Sequence, residues 1–160
     1  MMSLTREFAG LAVSIVVCFA VAAIGSTLTI PSIPTWYAAL NKPSWNPPAS
    51  VFGPVWSALY LLMAVAAWLV WRGRGFPAVV VPLTLFAFQL VLNCAWSGLF
   101  FSLHRPWLAF VDIVLLWCAI LATMISFGRV SSLASILLAP YLIWVSFAAV
   151  LNFTVAKMNQ

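Results

Sequence analysis

Residues 36–56 read W-Y-A-A-L-N-K-P-S-W-N-P-P-A-S-V-F-G-P-V-W. The stretch holds four of the chain's ten prolines, three of its nine tryptophans and Lys42, the one lysine outside the C-terminal tail. Long apolar sequence flanks it on both sides. Proline has no amide donor and lipid offers no substitute partner, so a segment this rich in proline cannot cross a bilayer. It must lie at or above the membrane surface as an ordered cover, and its position divides the apolar sequence into spans.

The chain has 160 residues, 66% hydrophobic and 6% charged, with a mean hydropathy of +1.15. A soluble domain carries about 25% charged residues, so this composition is that of an integral, multi-pass membrane protein. A hydrocarbon core of about 30 Å takes about 20 apolar residues per helical crossing. One domain over residues 1–160 therefore holds five crossings in an all-α bundle, with an ordered Pro/Trp-rich loop between the first two. The predicted spans are about 8–30, 51–71, 79–103, 107–127 and 133–156, following the turn and breaker signals of the sequence. Pro31 and Pro34 end the first, and Pro54 falls in the first turn of the second, where its missing donor costs least. Arg72-Gly73-Arg74-Gly75, His104-Arg105-Pro106 and Gly128-Arg129 mark the next turns, while Pro82 and Pro140 kink the third and fifth spans. In the first span Gly10, Ala20, Ala22, Ala23, Gly25 and Ser26 permit close helix packing. That span follows Arg6 and Glu7 but is longer than a signal peptide's apolar core, so it reads as a retained helix.

The net charge of +5 comes from basic residues scattered along the chain. Nucleic-acid binding needs a clustered basic face, which is absent; interfacial anchoring accounts for the charge. Four basic residues on the N-terminal side against three on the other lean towards a cytoplasmic N-terminus. Cys18, Cys94 and Cys118 lie singly in apolar runs and read as buried small hydrophobes, with no disulfide or metal site. There is no Ser/His/Asp or Cys/His set, no paired carboxylate and no required cofactor.

The unusual residues converge under the cover. At 1.5 Å per residue, Trp56 and Asp112 lie roughly 8 Å below its side of the bilayer, Trp96 roughly 10 Å, Asn93 roughly 15 Å and Trp144 roughly 18 Å. Asn93, Trp96, Ser97 and Phe100 follow i, i+3, i+4, i+7; Phe52, Trp56, Tyr60 and Met63 share a face of the second span; Tyr141, Trp144 and Ala148 share one of the fifth. If these faces meet, they enclose an aromatic cavity for a flat, largely apolar ligand with a few polar atoms. The same aromatics also read as packing or interface belt. Asp112, the one acid within a span, reads equally as a functional acid or as a structural partner, of Arg105 or of a buried donor. His104 reads as an interfacial residue rather than a haem ligand.

The string W-Y-A-A-L-N-K-P-S-W-N-P-P, followed by F-x-x-x-W-x-x-L-Y-x-x-M, resembles the TspO/MBR family of tryptophan-rich sensory proteins and peripheral benzodiazepine receptors. The likeness continues through N-x-x-W-S at Asn93–Ser97, V-D at Val111–Asp112 and P-Y-L-I-W at Pro140–Trp144. It implies a five-helix bundle, commonly dimeric, that binds porphyrins, sterols and isoquinoline- or benzodiazepine-type ligands. By position, Trp56 and Trp144 match tryptophans linked to porphyrin degradation in bacterial relatives. Asn93 matches a residue that hydrogen-bonds a drug carbonyl, Tyr37 and Pro47 match the pocket roof, and Ala148 matches a small residue that governs ligand and sterol binding. Phe153 stands where the sterol pattern of animal members has Tyr, so that pattern is broken here.

The expected ligand-binding set is Tyr37, Pro47, Trp56, Tyr60, Asn93, Trp96, Ser97, Phe100, Tyr141, Trp144, Phe147, Ala148 and Leu151. The leading expectation is a receptor or sensor in a bacterial cell membrane, a homodimer that stacks protoporphyrin IX on Trp56, Trp96 and Trp144 with its propionates near Lys42 or Arg105. The alternatives are a light- and oxygen-dependent porphyrin-degrading enzyme, with Trp56 and Trp144 catalytic, and a porphyrin or sterol transporter.

Overall fold

The computed structural model describes residues 4–73 and 76–160. It is all-helical among those residues, and five stretches are long and apolar enough to cross a membrane: Leu4–Tyr37, Ala49–Gly73, Pro77–Ser102, Pro106–Gly128 and Ser132–Met158. The helices are α1 (Leu4–Thr29), α2 (Ala49–Gly73), α3 (Phe76–Ser97), α4 (Pro106–Gly128), α5 (Ser132–Leu137) and α6 (Ala139–Met158). The last two form one span, broken at Leu138 just before Pro140. Pro82, by contrast, leaves α3 unbroken. Arg74 and Gly75 of the expected charged turn lie outside the described residues.

The first span runs further than its prolines suggest. Beyond α1 the backbone tightens into a 3₁₀ turn over Ile30–Ser32 and then widens into a π turn over Ile33–Tyr37. Pro34 has no N–H for the Ile30 carbonyl, and the Ile33 N–H takes that acceptor instead. Thr35 Oγ1 donates to the Pro31 carbonyl at 3.2 Å. Changing the pitch thus lets the helix absorb two prolines that would have ended a strict α-helix. The irregular part of the loop shrinks to residues 40–48. Because α2 begins at Ala49, Pro54 falls inside it rather than in its first turn.

The spans close into a ring in the order first, second, fifth, fourth, third. The half away from the loop carries much of the packed core, beside an apolar groove lined by Gly10, Val13, Val17, Ala67, Trp71 and Phe86. Met63, Ala64, Val70, Ile120, Phe127 and Leu138 are almost wholly enclosed there, joined by Cys18. The second and first spans approach closely at that end: a Cβ on Gly10 would run into the Trp71 ring. Trp68 Nε1 donates to the Glu7 carbonyl at 3.0 Å, and Arg72 pairs with Glu7 at 3.9 Å. Cys118 is exposed rather than buried; an apolar run in a membrane protein can face lipid as well as protein.

The loop over the other half is tied at many points. Lys42 Nζ donates to the carbonyls of Tyr37, Leu40 and Ala38 at 2.7, 2.8 and 3.3 Å. These carbonyls lie at the end of the first span, where Tyr37 O also takes the Leu40 N–H at 3.3 Å, and the ammonium serves as a C-terminal cap. Tyr37 Oη donates to Asn46 Oδ1 at 3.0 Å. At the far end of the chain, the Asn159 amide accepts from Asn41 N and donates to Asn41 O, both at 2.9 Å. Hydrogen bonds to a charged donor contribute roughly 1.5–3 kcal/mol each. Lys42→Met keeps the aliphatic stem and removes three of them. Hydrogen exchange at the amides of Leu40, Asn41 and Asn46 should then accelerate by about tenfold or more; unchanged exchange would show that the cap does not hold the loop.

Candidate functional site

Below the loop the ring does not close on itself. A cavity of about 420 Å³ remains, within the size range of small-molecule sites. Tyr37, Phe52, Trp56, Tyr60, Trp96, Phe100, Phe101, Trp144 and Phe147 give it an aromatic wall, and Asn93, Ser97, Ala148 and Leu151 line it as well. Eleven of the thirteen expected binding residues therefore share one cavity. Pro47 and Tyr141 do not line it. Pro47 belongs to the loop above, where its carbonyl accepts from Asn46 Nδ2 at 3.2 Å. Tyr141 is fully buried behind the wall, held there by the bonds of its hydroxyl.

Those bonds form the floor. Tyr60 Oη donates to Asn93 Oδ1 at 2.6 Å, Asn93 Nδ2 donates to Tyr141 Oη at 2.8 Å, and Tyr141 Oη donates to Gln89 Oε1 at 3.0 Å. Asn93 thus ties α2, α3 and α6 together at one depth. A second amide does the same nearer the loop: Asn152 Oδ1 accepts from Trp96 Nε1, and its Nδ2 donates to the Pro106 carbonyl, both at 2.9 Å. In each case a polar side chain within the bilayer finds its partners on neighbouring helices, where lipid would supply none.

Ring packing sets the side walls. Trp96 stacks on Phe100 at 5.4 Å. Trp56 contacts Tyr60 and Tyr141 at 5.8 and 6.2 Å, while Phe52 meets Trp144 edge-on at 6.0 Å. From the loop, Trp45 reaches down to Phe147 at 5.9 Å. Trp36 stacks on His104 at 4.4 Å, which places His104 at the interface, in a left-handed turn with φ 53°.

Lys42 is not among the cavity-lining residues, and its ammonium bonds the carbonyls of Tyr37, Ala38 and Leu40. Arg105 does not pair with Asp112: the two stand seven residues apart, roughly 10 Å along the helix, and Glu7–Arg72 is the ion pair seen among the described residues. Asp112 is buried off the cavity with Oδ2 unpartnered, as is Trp144 Nε1.

The largest omission is the first span. Ala22, Gly25, Ser26, Thr29, Ile30 and Ile33 all line the cavity. Ala22, Gly25 and Ser26 suit close packing by their size, yet Ala22, Ser26 and Thr29 at i, i+4 and i+7 equally mark the wall of a hollow. Asn152 was also missed, although a buried amide in a span carries the same signal as Asn93.

A sequence model of the TspO/MBR family matches residues 14–158. The chain is 46% identical over 157 residues to the tryptophan-rich protein TspO of Chlorobaculum tepidum, covering 98% of this chain and 99% of that one. It is 45% identical over 127 residues to the human translocator protein, covering 78% and 75%. To the tryptophan-rich sensory protein of Cereibacter sphaeroides it is 39% identical over 124 residues, covering 78% and 77%.

If Asn93 is the shared partner of two hydroxyls, its removal should not add to theirs. Groups in one network couple by about 0.5–3 kcal/mol. Thermal unfolding in detergent of Asn93→Ala, Tyr60→Phe and the pair should show the double variant less destabilised than the sum by about 1 kcal/mol; strict additivity would dissolve the network.

Proposed function

The chain belongs to the TspO/MBR family, and on that footing we propose that it is a membrane receptor or sensor whose ligand is a flat, apolar tetrapyrrole of the protoporphyrin type. The observation that carries the reading is the wall itself. Trp56, Trp96 and Trp144 border one cavity with Phe52, Phe100 and Phe147 between them. Broad ring faces of this kind favour a planar π system by offset and edge contacts, each worth about 0.5–1.5 kcal/mol beyond burial. Most of the cavity's polar wall groups already bond within the protein, so recognition rests on shape and stacking rather than on charge. With Lys42 occupied in capping the first span and Arg105 away from the cavity, the carboxylates of such a ligand stay at its outer edge. Isoquinoline- and benzodiazepine-type ligands fit the same description, being flat and apolar with few polar atoms. Membership of the family and the nearly full-length likeness to a bacterial relative support placement in a bacterial cell membrane.

A second reading uses the same wall. Trp56 stands in a chain of ring contacts with Tyr60 and Tyr141, the side-chain types that pass single electrons, and this favours light- and oxygen-dependent breakdown of the bound porphyrin. Under that reading Trp56→Phe and Trp144→Phe retain binding and lose product; undiminished product excludes it.

Titration of the protein in vesicles with protoporphyrin IX should quench tryptophan fluorescence saturably, beyond a lipid-only control. Replacing Trp96 with Ala removes a stacking face and should weaken binding by roughly five- to tenfold, the equivalent of about 1–1.4 kcal/mol. Quenching that rises linearly without saturation would contradict the proposal.

A further inference from the structure

Three flanks of the cavity are shut. Between the first and third spans, Ser102 Oγ donates to the Leu28 carbonyl at 3.0 Å, and a Cβ on Gly25 would already touch Ser97 Oγ at 3.4 Å. Between the third and fifth, the Trp96–Asn152 bond closes the wall. Between the second and fifth, Phe52 lies against Trp144 and Trp45 against Phe147. The loop above is held by Lys42, Tyr37 and the two-bond Asn41–Asn159 clamp.

The fourth flank differs. Ser26 and Ile30 on the first span, and Ala49, Gly53 and Ser57 on α2, border the cavity and are all exposed. Ile30 is 62% exposed. Ala49, Gly53 and Ser57 recur every four residues and so form one row along α2, extending roughly 12 Å from its start. Small residues facing one another ordinarily let two helices close up. Here they do not: a Cβ on Gly53 would meet nothing within 4 Å. The same two spans are in close contact at the opposite end of the bundle, through Gly10, Trp68 and Arg72. They therefore splay towards the loop and leave a slot at bilayer depth.

We propose that this slot between the first and second spans is the door of the cavity, so that the ligand arrives sideways, dissolved in the bilayer, beneath a loop that stays shut. The proposal rests on the ligand-binding reading of the cavity. It makes lipophilic, membrane-partitioned molecules the class admitted, and it makes Gly53 the residue that sets the width of the opening.

A door and a wall have different kinetic signatures. Narrowing a door slows arrival and departure alike and leaves the equilibrium nearly untouched, whereas altering the wall changes the ratio of the two rates. Protoporphyrin IX transferred from phosphatidylcholine donor vesicles to proteoliposomes, followed by stopped-flow tryptophan quenching, yields both rates. For Gly53→Phe both should fall by about tenfold or more, with Kd within about threefold of the native value. Gly53→Leu replaces it if the ring prevents folding. Asn159→Ala, which unties the loop without touching the cavity, should leave both rates unchanged. If Asn159→Ala accelerates both rates and Gly53→Phe does not slow them, the ligand passes through the loop and the proposal is overturned. It is equally overturned if Gly53→Phe raises the departure rate alone. Absence of saturable quenching in the native protein removes the binding reading itself, a result distinct from either.

Discussion

One amide sets the boundary on which the structure depends. Asn93 lies deep in the bundle, where neither water nor lipid can satisfy it, and it draws Tyr60 and Tyr141 from two other spans. On one side of this junction, mostly aliphatic and alanine side chains pack into a buried core. On the other, the same ring holds aromatic side chains that are too broad and too rigid to fill the space between them. An amide buried in hydrocarbon without partners would cost several kcal/mol, so the spans are held at a spacing that keeps the three groups together. The hollow above is the consequence.

The loop continues this logic at the surface. A helix that meets two prolines must change pitch, and a helix that ends inside a protein must have its last carbonyls satisfied. The 3₁₀ and π turns meet the first demand and Lys42 meets the second. The loop is thereby built as an ordered lid rather than a tether, with Asn159 closing it from the opposite end of the chain. Charge that reads as a surface anchor in the sequence is in fact part of the backbone's own hydrogen bonding.

How much of this was legible in the sequence follows from which signals are local. The five spans and their order were legible, because hydrophobicity over about 20 residues is decided by the bilayer alone. So were the faces of the second, third and fifth spans, since helical spacing fixes which side chains share a side. The end of the first span was not: Pro31 and Pro34 look like stops unless the pitch change that accommodates them is known. The role of Lys42 depended on where three carbonyls would point. Ala22, Gly25 and Ser26 could serve either a tight contact or an open slot, and small side chains carry no mark that separates the two. Tyr141 sat on the right face of its helix but one layer too deep, a distinction that arises only once Asn93 has drawn it in.

The central claim is that the half of the bundle beneath the loop is a binding chamber for a flat apolar ligand. An experimental structure of the protein in lipid nanodiscs with protoporphyrin IX tests this most directly. The account predicts a macrocycle between Trp56, Trp96 and Trp144, under residues 40–48, with the Asn93 junction intact beneath it. A macrocycle seated on the outer surface of the bundle, or an aromatic chamber collapsed and empty with the ligand present, would contradict it.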